Sequence, residues 1–363
     1  ILHREQLRLE DGVQRLRIPL AFEQTGPRRL EFELETLPDE RIHENNRRAA
    51  TLTVDEGSRR VLYYEGEPRF EMKFVRRAVA DDDNLAVAGL IRTADAKYYR
   101  VGIDSSEELE NGFPSTREEL FAYDAIVLGS VENALLSRSQ QELIADFVAE
   151  RGGGLLMLGG RRAFTEGGHR DSVLQRVSPV VMPDRAEPEF SRRIRVQPTA
   201  AAAVHPALAI DDDREASIAR WLTLPPLTTV NPIQRVKPGA TLLLTTPPDA
   251  RNERYVAMAW HRYGRGKVIA FPVQNSWLWQ MHHEIPLEDQ THERLWRQLL
   301  RWLVESVPSR LELTLSSDQV HAGGVLRVRG ELLDGGDPDG RTPPRAVLTA
   351  PNGSERSLLL APR

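Results

Sequence analysis

A chain of 363 residues, 40% of them hydrophobic, has material for two or three cores at roughly 100–200 residues per domain, which excludes wholesale disorder. Its 48 basic and 53 acidic residues give a net charge of −5 in a well-mixed pattern, so neither a nucleic-acid stripe nor an acidic tail for a cationic partner is expected. No apolar run reaches the roughly 18 residues that cross a bilayer, and the absence of cysteine excludes disulfides, thiolate metal sites and a cysteine nucleophile while leaving the redox compartment open. The chain opens with ILHREQ, neither a signal peptide nor an initiator methionine, and reads as an excised fragment.

Residues 1–58 alternate in the strand period. Leu16, Ile18, Leu20 and Phe22 share one face, as do Leu30, Phe32 and Leu34, and then Leu52 and Val54, with GP at 26–27 and ENN at 44–46 as turns. This pattern predicts a small β-sandwich. Residues 307–363 repeat it through Leu311, Leu313, Leu315, Leu326, Val328 and Val347, and predict a second sandwich, cut short.

Residues 59–306 change rhythm. VLYY at 61–64, LAVAGLI at 85–91, AIVLG at 125–129 and GLLML at 154–158 are continuous apolar runs of the kind that a parallel sheet buries on both faces. Between them, residues 69–80 place Phe70, Phe74, Val75 and Ala78 on one helical face. Residues 137–151 start with the capping pair Ser137 and Gln140, bury Leu143, Ile144, Phe147 and Val148, and stop at Gly152. Strands follow at 240–245, 255–260 and 267–271. A closing helix over 288–305 turns Leu295, Leu299, Trp302 and Leu303 inward, and 186–206 reads as a long surface excursion. The fold class is α/β, a flavodoxin-like parallel sheet with helices on both faces, whose site positions lie past the carboxyl ends of the strands.

The stretch YDAIVLGSVENALLSRSQQELIADFVAERGGGLLMLGG, with GRGKVIAFPVQNSWLW and RLWRQLLRWLVE, resembles the class I glutamine amidotransferase-like superfamily across about residues 59–305. The closer likeness is to its "putative glutamine amidotransferase" branch, found in bacterial membrane-anchored proteins beside von Willebrand A-type and immunoglobulin-like modules. The resemblance implies immunoglobulin-like flanking modules and an extracytoplasmic location, in the periplasm or at the cell surface, with membrane contact only through segments outside this chain. It also implies a GxCxG elbow after strand 154–158 and a histidine–glutamate pair on a late strand.

Neither is present. The elbow carries Gly159 and Gly160 followed by Arg161 and Arg162, and FPVQNSW at 271–277 stands where the histidine and glutamate belong. Covalent acyl transfer needs a nucleophile beside a base, so no glutaminase activity, no catalytic residue and no cofactor is expected. Ser130 lacks a GxSxG context, and Glu166 with His169 could form an acid/base pair or stand solvated in a loop. MHHE at 281–284, with Asp289 and His292, lacks a zinc spacing and reads as a polar loop.

What remains is a rim for binding. Glu65, Glu67 and Arg69 follow the first parallel strand and face the elbow, either as a salt-bridged network that closes the old pocket or as contacts for a polar ligand or a partner's charged loop. Asn275 and Trp277 follow a late strand. An aromatic there could stack on a sugar or grip a peptide, or pack into the core. The N–H groups of Gly159 and Gly160 could still hold an anion or a carbonyl oxygen. The expected function is therefore a non-catalytic binding or assembly domain whose rim, Glu65, Glu67, Arg69, Ser130, Arg161, Arg162, Glu166, His169, Asn275 and Trp277, meets a protein partner or a small polar ligand. A hydrolase with an unidentified catalytic group and a structural spacer are the alternatives.

Overall fold

The computed structural model describes residues 2–6, 20, 22, 24–36, 40, 46–54, 57–186, 191–308, 311–317, 320–321, 323–332, 345–349 and 353–359. The chain divides into two compact units, Ile1–Ser58 and Arg59–Arg363. In the first, β1 (Gly26–Glu33) and β2 (Arg47–Val54) pair antiparallel, from Gly26 opposite Val54 to Glu33 opposite Arg47. Leu16 and Ile18, read as strand residues, lie outside the described residues.

The second unit runs β3 (Arg59–Glu65), α1 (Phe70–Ala78), β4 (Leu85–Ala94), β5 (Lys97–Val101), α2 (Arg117–Leu120), β6 (Ala125–Leu128), α3 (Arg138–Asp146) and β7 (Gly154–Leu158). It continues with α4 (Val173–Val177), β8 (Val180–Val181), β9 (Ser191–Ile194), β10 (Gln197–Pro198), α5 (Arg214–Thr223), β11 (Leu227–Val230), β12 (Arg235–Val236), β13 (Thr241–Thr245), β14 (Val256–Tyr263), β15 (Gly266–Phe271), β16 (Val273–Gln274), α6 (Leu278–Met281) and α7 (Thr291–Val304). Beyond α7, β17 (Leu311–Leu315) pairs with β18 (Val328–Leu332), and β19 (Arg345–Thr349) with β20 (Glu355–Leu359).

Nine strands form the central sheet in the order β10-β13-β14-β15-β7-β6-β3-β4-β5. The middle five, β15 to β4, are parallel. Both margins are antiparallel, so the α/β sheet read from the sequence is parallel in its centre and mixed as a whole. The cause is local: β14 and β15 are joined through Gly264 and Arg265, and β4 and β5 through Asp95 and Ala96, links too short for a crossover. Gly264 and Ala96 take the positive φ angles, 57° and 53°, that such tight turns require.

Alternation along the strands divides the core. Val61 and Tyr63 face α1 and α7 with Val75, Leu299 and Leu303, while Leu62 and Tyr64 face the side of α3 and α4 with Leu143, Ile144 and Leu174. Helix α3 carries the expected reciprocal capping box between Ser137 and Gln140, passes into a π turn at Phe147–Arg151, and stops at Gly152 with φ 79°. Two expectations are corrected. Phe70 is 62% exposed, because at the first position of α1 it lies beyond the sheet, edge-on to Trp277 at 5.6 Å. Of the stretch 186–206, residues 187–190 lie outside the described residues and the rest is no simple surface excursion: β9 and β10 pair into sheets, and Val196 and Ala202 are buried.

The carboxyl ends of β3, β6, β7 and β15 converge on one side. No helix among the described residues is long and apolar enough to cross a membrane.

Candidate functional site

At the end of β3 the chain buries Glu65 completely. Its carboxylate accepts from Arg69 Nε at 2.9 Å and Nη2 at 3.1 Å, from Tyr63 Oη at 3.1 Å and from the N–H of Ser130 at 2.7 Å. Burial pushes the carboxyl up, and Arg69 pulls it back. Arg69, one residue before α1, also donates from Nη1 to the carbonyl of Gly159 at 2.9 Å, which ties β3 to the elbow after β7. Gly129 is required here, since a Cβ on it would stand 2.4 Å from Glu65 Oε2.

Ser130 follows β6 and is wholly buried. Its hydroxyl donates to Glu67 Oε1 at 2.6 Å and accepts from the N–H of Arg162 at 3.0 Å. The Arg162 guanidinium pairs with Glu132 at 2.5 Å and lies 3.8 Å from Glu67. Both elbow N–H groups are already taken: Gly159 donates to the carbonyl of Phe271 at 2.8 Å, and Gly160 to Asn231 Oδ1 at 3.0 Å. The anion-binding backbone expected of the glycine pair is therefore not on offer.

Asn231 is one residue that sequence reasoning missed. Buried at the end of β11, its amide also donates to the carbonyl of Gly160 at 3.0 Å and to Glu166 Oε2 at 2.7 Å. The only available signal was an NP turn after the apolar run, a pattern shared by ordinary loops.

Of the predicted rim, Glu65, Glu67, Arg69, Ser130, Arg162 and Glu166 thus join in one network with the two glycines, and Arg161 is exposed beside it. Three expected members stand elsewhere. His169 is buried beneath the elbow loop, its Nε2 2.7 Å from the carbonyl of Val131, and burial lowers its pKa; it does not meet Glu166. Asn275, with φ 67°, donates to Thr228 at 2.8 Å and accepts from Trp277 Nε1 at 3.3 Å. Trp277 is half-buried and stacks on Phe74 of α1 at 5.8 Å, while Trp279 is fully buried.

Between them sits a second cluster that the sequence did not announce. Ser276 hydrogen-bonds Glu71 through both N–H and hydroxyl, accepts from Trp296 Nε1 at 2.9 Å, and lies 3.1 Å from His292 Nε2. All four side chains are buried, and Glu71 touches the serine rather than the imidazole, so the hydroxyl is held on every side instead of being raised by a base. Among the described residues no group of three or more His, Asp or Glu is placed to hold a metal.

The elbow is closed from above. An added Cβ on Gly160 would stand 2.7 Å from Ser130 Oγ and 2.9 Å from Arg69 Nη1, and one on Gly159 would stand 2.4 Å from the backbone of Pro272. Ala163, Phe164, Thr165 and His169 of the following loop are buried, while Arg161 and Arg162 are exposed.

Residues 82–305 match the family described as "Putative glutamine amidotransferase". None of the curated proteins matches the chain. Among solved structures it is similar to a cytoplasmic protein from Salmonella typhimurium LT2, at 20% identity over 76% of this chain and 96% of that one, with a TM-score of 0.45. A second cytoplasmic protein from Salmonella typhimurium gives 18%, 77%, 96% and 0.46, and PurLQS from Thermotoga maritima gives 9%, 68%, 100% and 0.35.

Proposed function

The chain belongs to the "Putative glutamine amidotransferase" family, and from that premise we propose that it is a non-catalytic member, a binding or assembly domain that releases no ammonia from glutamine. One observation carries the reading: the elbow has neither a nucleophile nor the space for one, since Ser130 and Arg69 fill the volume above Gly160. The hydroxyl of the rim, on Ser130, is engaged by Glu67 and the Arg162 amide. What the rim offers outward is charge, from exposed Arg161 and from Arg162, Glu67 and Glu132, and this suits a protein partner's charged loop or a small polar ligand. An extracytoplasmic setting, with a membrane anchor outside these residues, belongs to the same proposal and rests on the family resemblance alone.

The test is direct. The purified protein is incubated with glutamine and ammonia is measured; turnover above background that survives repurification and falls on Arg69→Met or Ser130→Ala would refute the reading. For the binding half, Arg161→Ala with Glu67→Ala weakens association with a captured partner while the fold is kept, and unchanged affinity would move the search to the flanking β segments.

A further inference from the structure

The buried cluster at Ser276 lies beside the rim network without belonging to it: Arg69 immediately precedes α1, and Glu71 stands in the first turn of that helix. An ionised Glu71 can only accept and Trp296 Nε1 can only donate. The single hydroxyl proton of Ser276 therefore goes to Glu71 Oε1, which also takes the N–H of Ser276 at 3.1 Å, and His292 donates from Nε2. Both donors serve the same oxygen. Glu71 Oε2 is buried and has no partner among the described residues.

The groups that face this carboxyl set its charge. Burial disfavours the ionised form and outweighs the attraction of Arg69 and of the Ser276 donors, while Glu65 at the end of β3 adds repulsion, so the proton is kept up to about pH 6. Tyr63 on β3 and His292 on α7 bring no charge there, since burial keeps both neutral. The turn that the carboxyl holds is Asn275–Trp277. Asn275 takes φ 67°, a left-handed conformation that a side chain disfavours, so the turn needs its anchor. Trp279 is buried with its Nε1 on the Pro225 carbonyl at 3.0 Å and pins α6, so the movable part ends at Trp277. The Trp277 ring stacks on Phe74 and meets exposed Phe70 edge-on, which makes an aromatic surface directly after Arg69.

We propose that Glu71 and Ser276 form a proton-controlled latch: the protonated carboxyl holds the Asn275–Trp277 turn and its aromatic surface against α1, and loss of the proton loosens the turn. The burial of Oε2 is no obstacle, because a buried group exchanges its proton through the same local opening that the latch controls. Linkage gives the direction. A carboxyl raised from 4.5 to about 6 stabilises the closed turn fully below pH 4.5, and that share is lost as pH rises through about 6. The latch asks nothing of the elbow, so its failure would leave the non-catalytic reading untouched.

Amide hydrogen exchange of the whole chain tests it, read by mass spectrometry in peptides covering the turn and α3, at about pH 5 and about pH 7.5 and corrected for the chemical exchange rate. The turn should exchange ahead of α3 at both pH values, and its protection should be about tenfold or more lower at the higher pH, as a shift of one pKa unit or more allows. Glu71→Gln keeps an acceptor oxygen for Ser276 and cannot ionise, so its turn should be equally protected at both. Equal protection of the wild-type turn at the two pH values, a pH dependence that survives in Glu71→Gln, or a turn that opens only together with α3 would each overturn the proposal. The first and the last of these are read on the wild type alone, so the test does not depend on the variant folding.

Discussion

Arg69 holds the two oxygens of Glu65 with Nε and Nη2, at 2.9 and 3.1 Å, and reaches the Gly159 carbonyl with Nη1 at 2.9 Å. A single guanidinium therefore joins the ends of β3 and β7. The two side chains are 8% and 0% exposed, so this pair is not screened as a surface pair would be.

Removing one partner of a buried pair leaves an uncompensated charge. Arg69→Met is expected to cost about 3–5 kcal/mol, read as a lower denaturation midpoint. Replacing both residues, as Glu65→Leu with Arg69→Met, should recover much of that loss, because the stranded charge is gone. A single mutant within about 0.5 kcal/mol of wild type would mean that the pair contributes nothing to the closed elbow.

The glycine pair makes a graded prediction. At Gly160 a new methyl group meets side-chain atoms of Ser130 and Arg69, which can shift, whereas at Gly159 it meets the backbone of Pro272, which cannot. Gly160→Ala should cost about 1–3 kcal/mol, and Gly159→Ala more. Gly160→Cys should create no glutaminase, since the thiol would have no space for an amide and no histidine beside it. Equal stability of the two alanine variants would show that the elbow is looser than its contacts imply.

Asn231 gives the third. Asn231→Ala strands the N–H of Gly160 in the interior and removes a donor from Glu166. A loss of about 1–3 kcal/mol is expected, with faster amide exchange confined to residues 160–167. If exchange rises evenly through the domain instead, the asparagine supports the whole fold and not the elbow.

Which parts of this were legible follows from range. The parallel strands at 61–64, 125–129 and 154–158 were readable because burial on both faces makes continuous apolar runs, and α3 because Ser137 and Gln140 cap it within four residues. The antiparallel margins were not read as such, since a strand's direction lies in its link and not in its own residues. Of the site, proximity to a strand end predicted Glu65, Arg69 and Ser130, and the missing nucleophile was plain in Gly159 and Gly160. Asn231, 71 residues from Gly160 along the chain, carried no local sign of its role. Nor did Ser276, which is 205 residues from Glu71.

That buried cluster makes the last prediction. Burial pushes the Glu71 carboxyl from 4.5 up to about 6, against the pull of Arg69 and of the Ser276 hydrogen bonds, and drives His292 from 6.5 down to about 3. The signs oppose. A raised pKa means that folded Glu71 keeps a proton the unfolded chain has lost, so its stabilising share is complete below pH 4.5 and is lost as pH rises through about 6. The lowered pKa of His292 makes its share complete above pH 6.5 and lost as pH falls towards 3. Between pH 4.5 and 6 the two slopes work against each other, so the wild type should show a shallow profile there. Glu71→Gln keeps an oxygen for the Ser276 donors and removes only the carboxyl's slope. Its stability relative to wild type should therefore climb between pH 4.5 and 6, by up to about 2 kcal/mol, in urea denaturation followed by tryptophan fluorescence. Parallel curves for the two proteins across that interval would show that Glu71 does not titrate there, and that Ser276 holds it as an ordinary carboxylate.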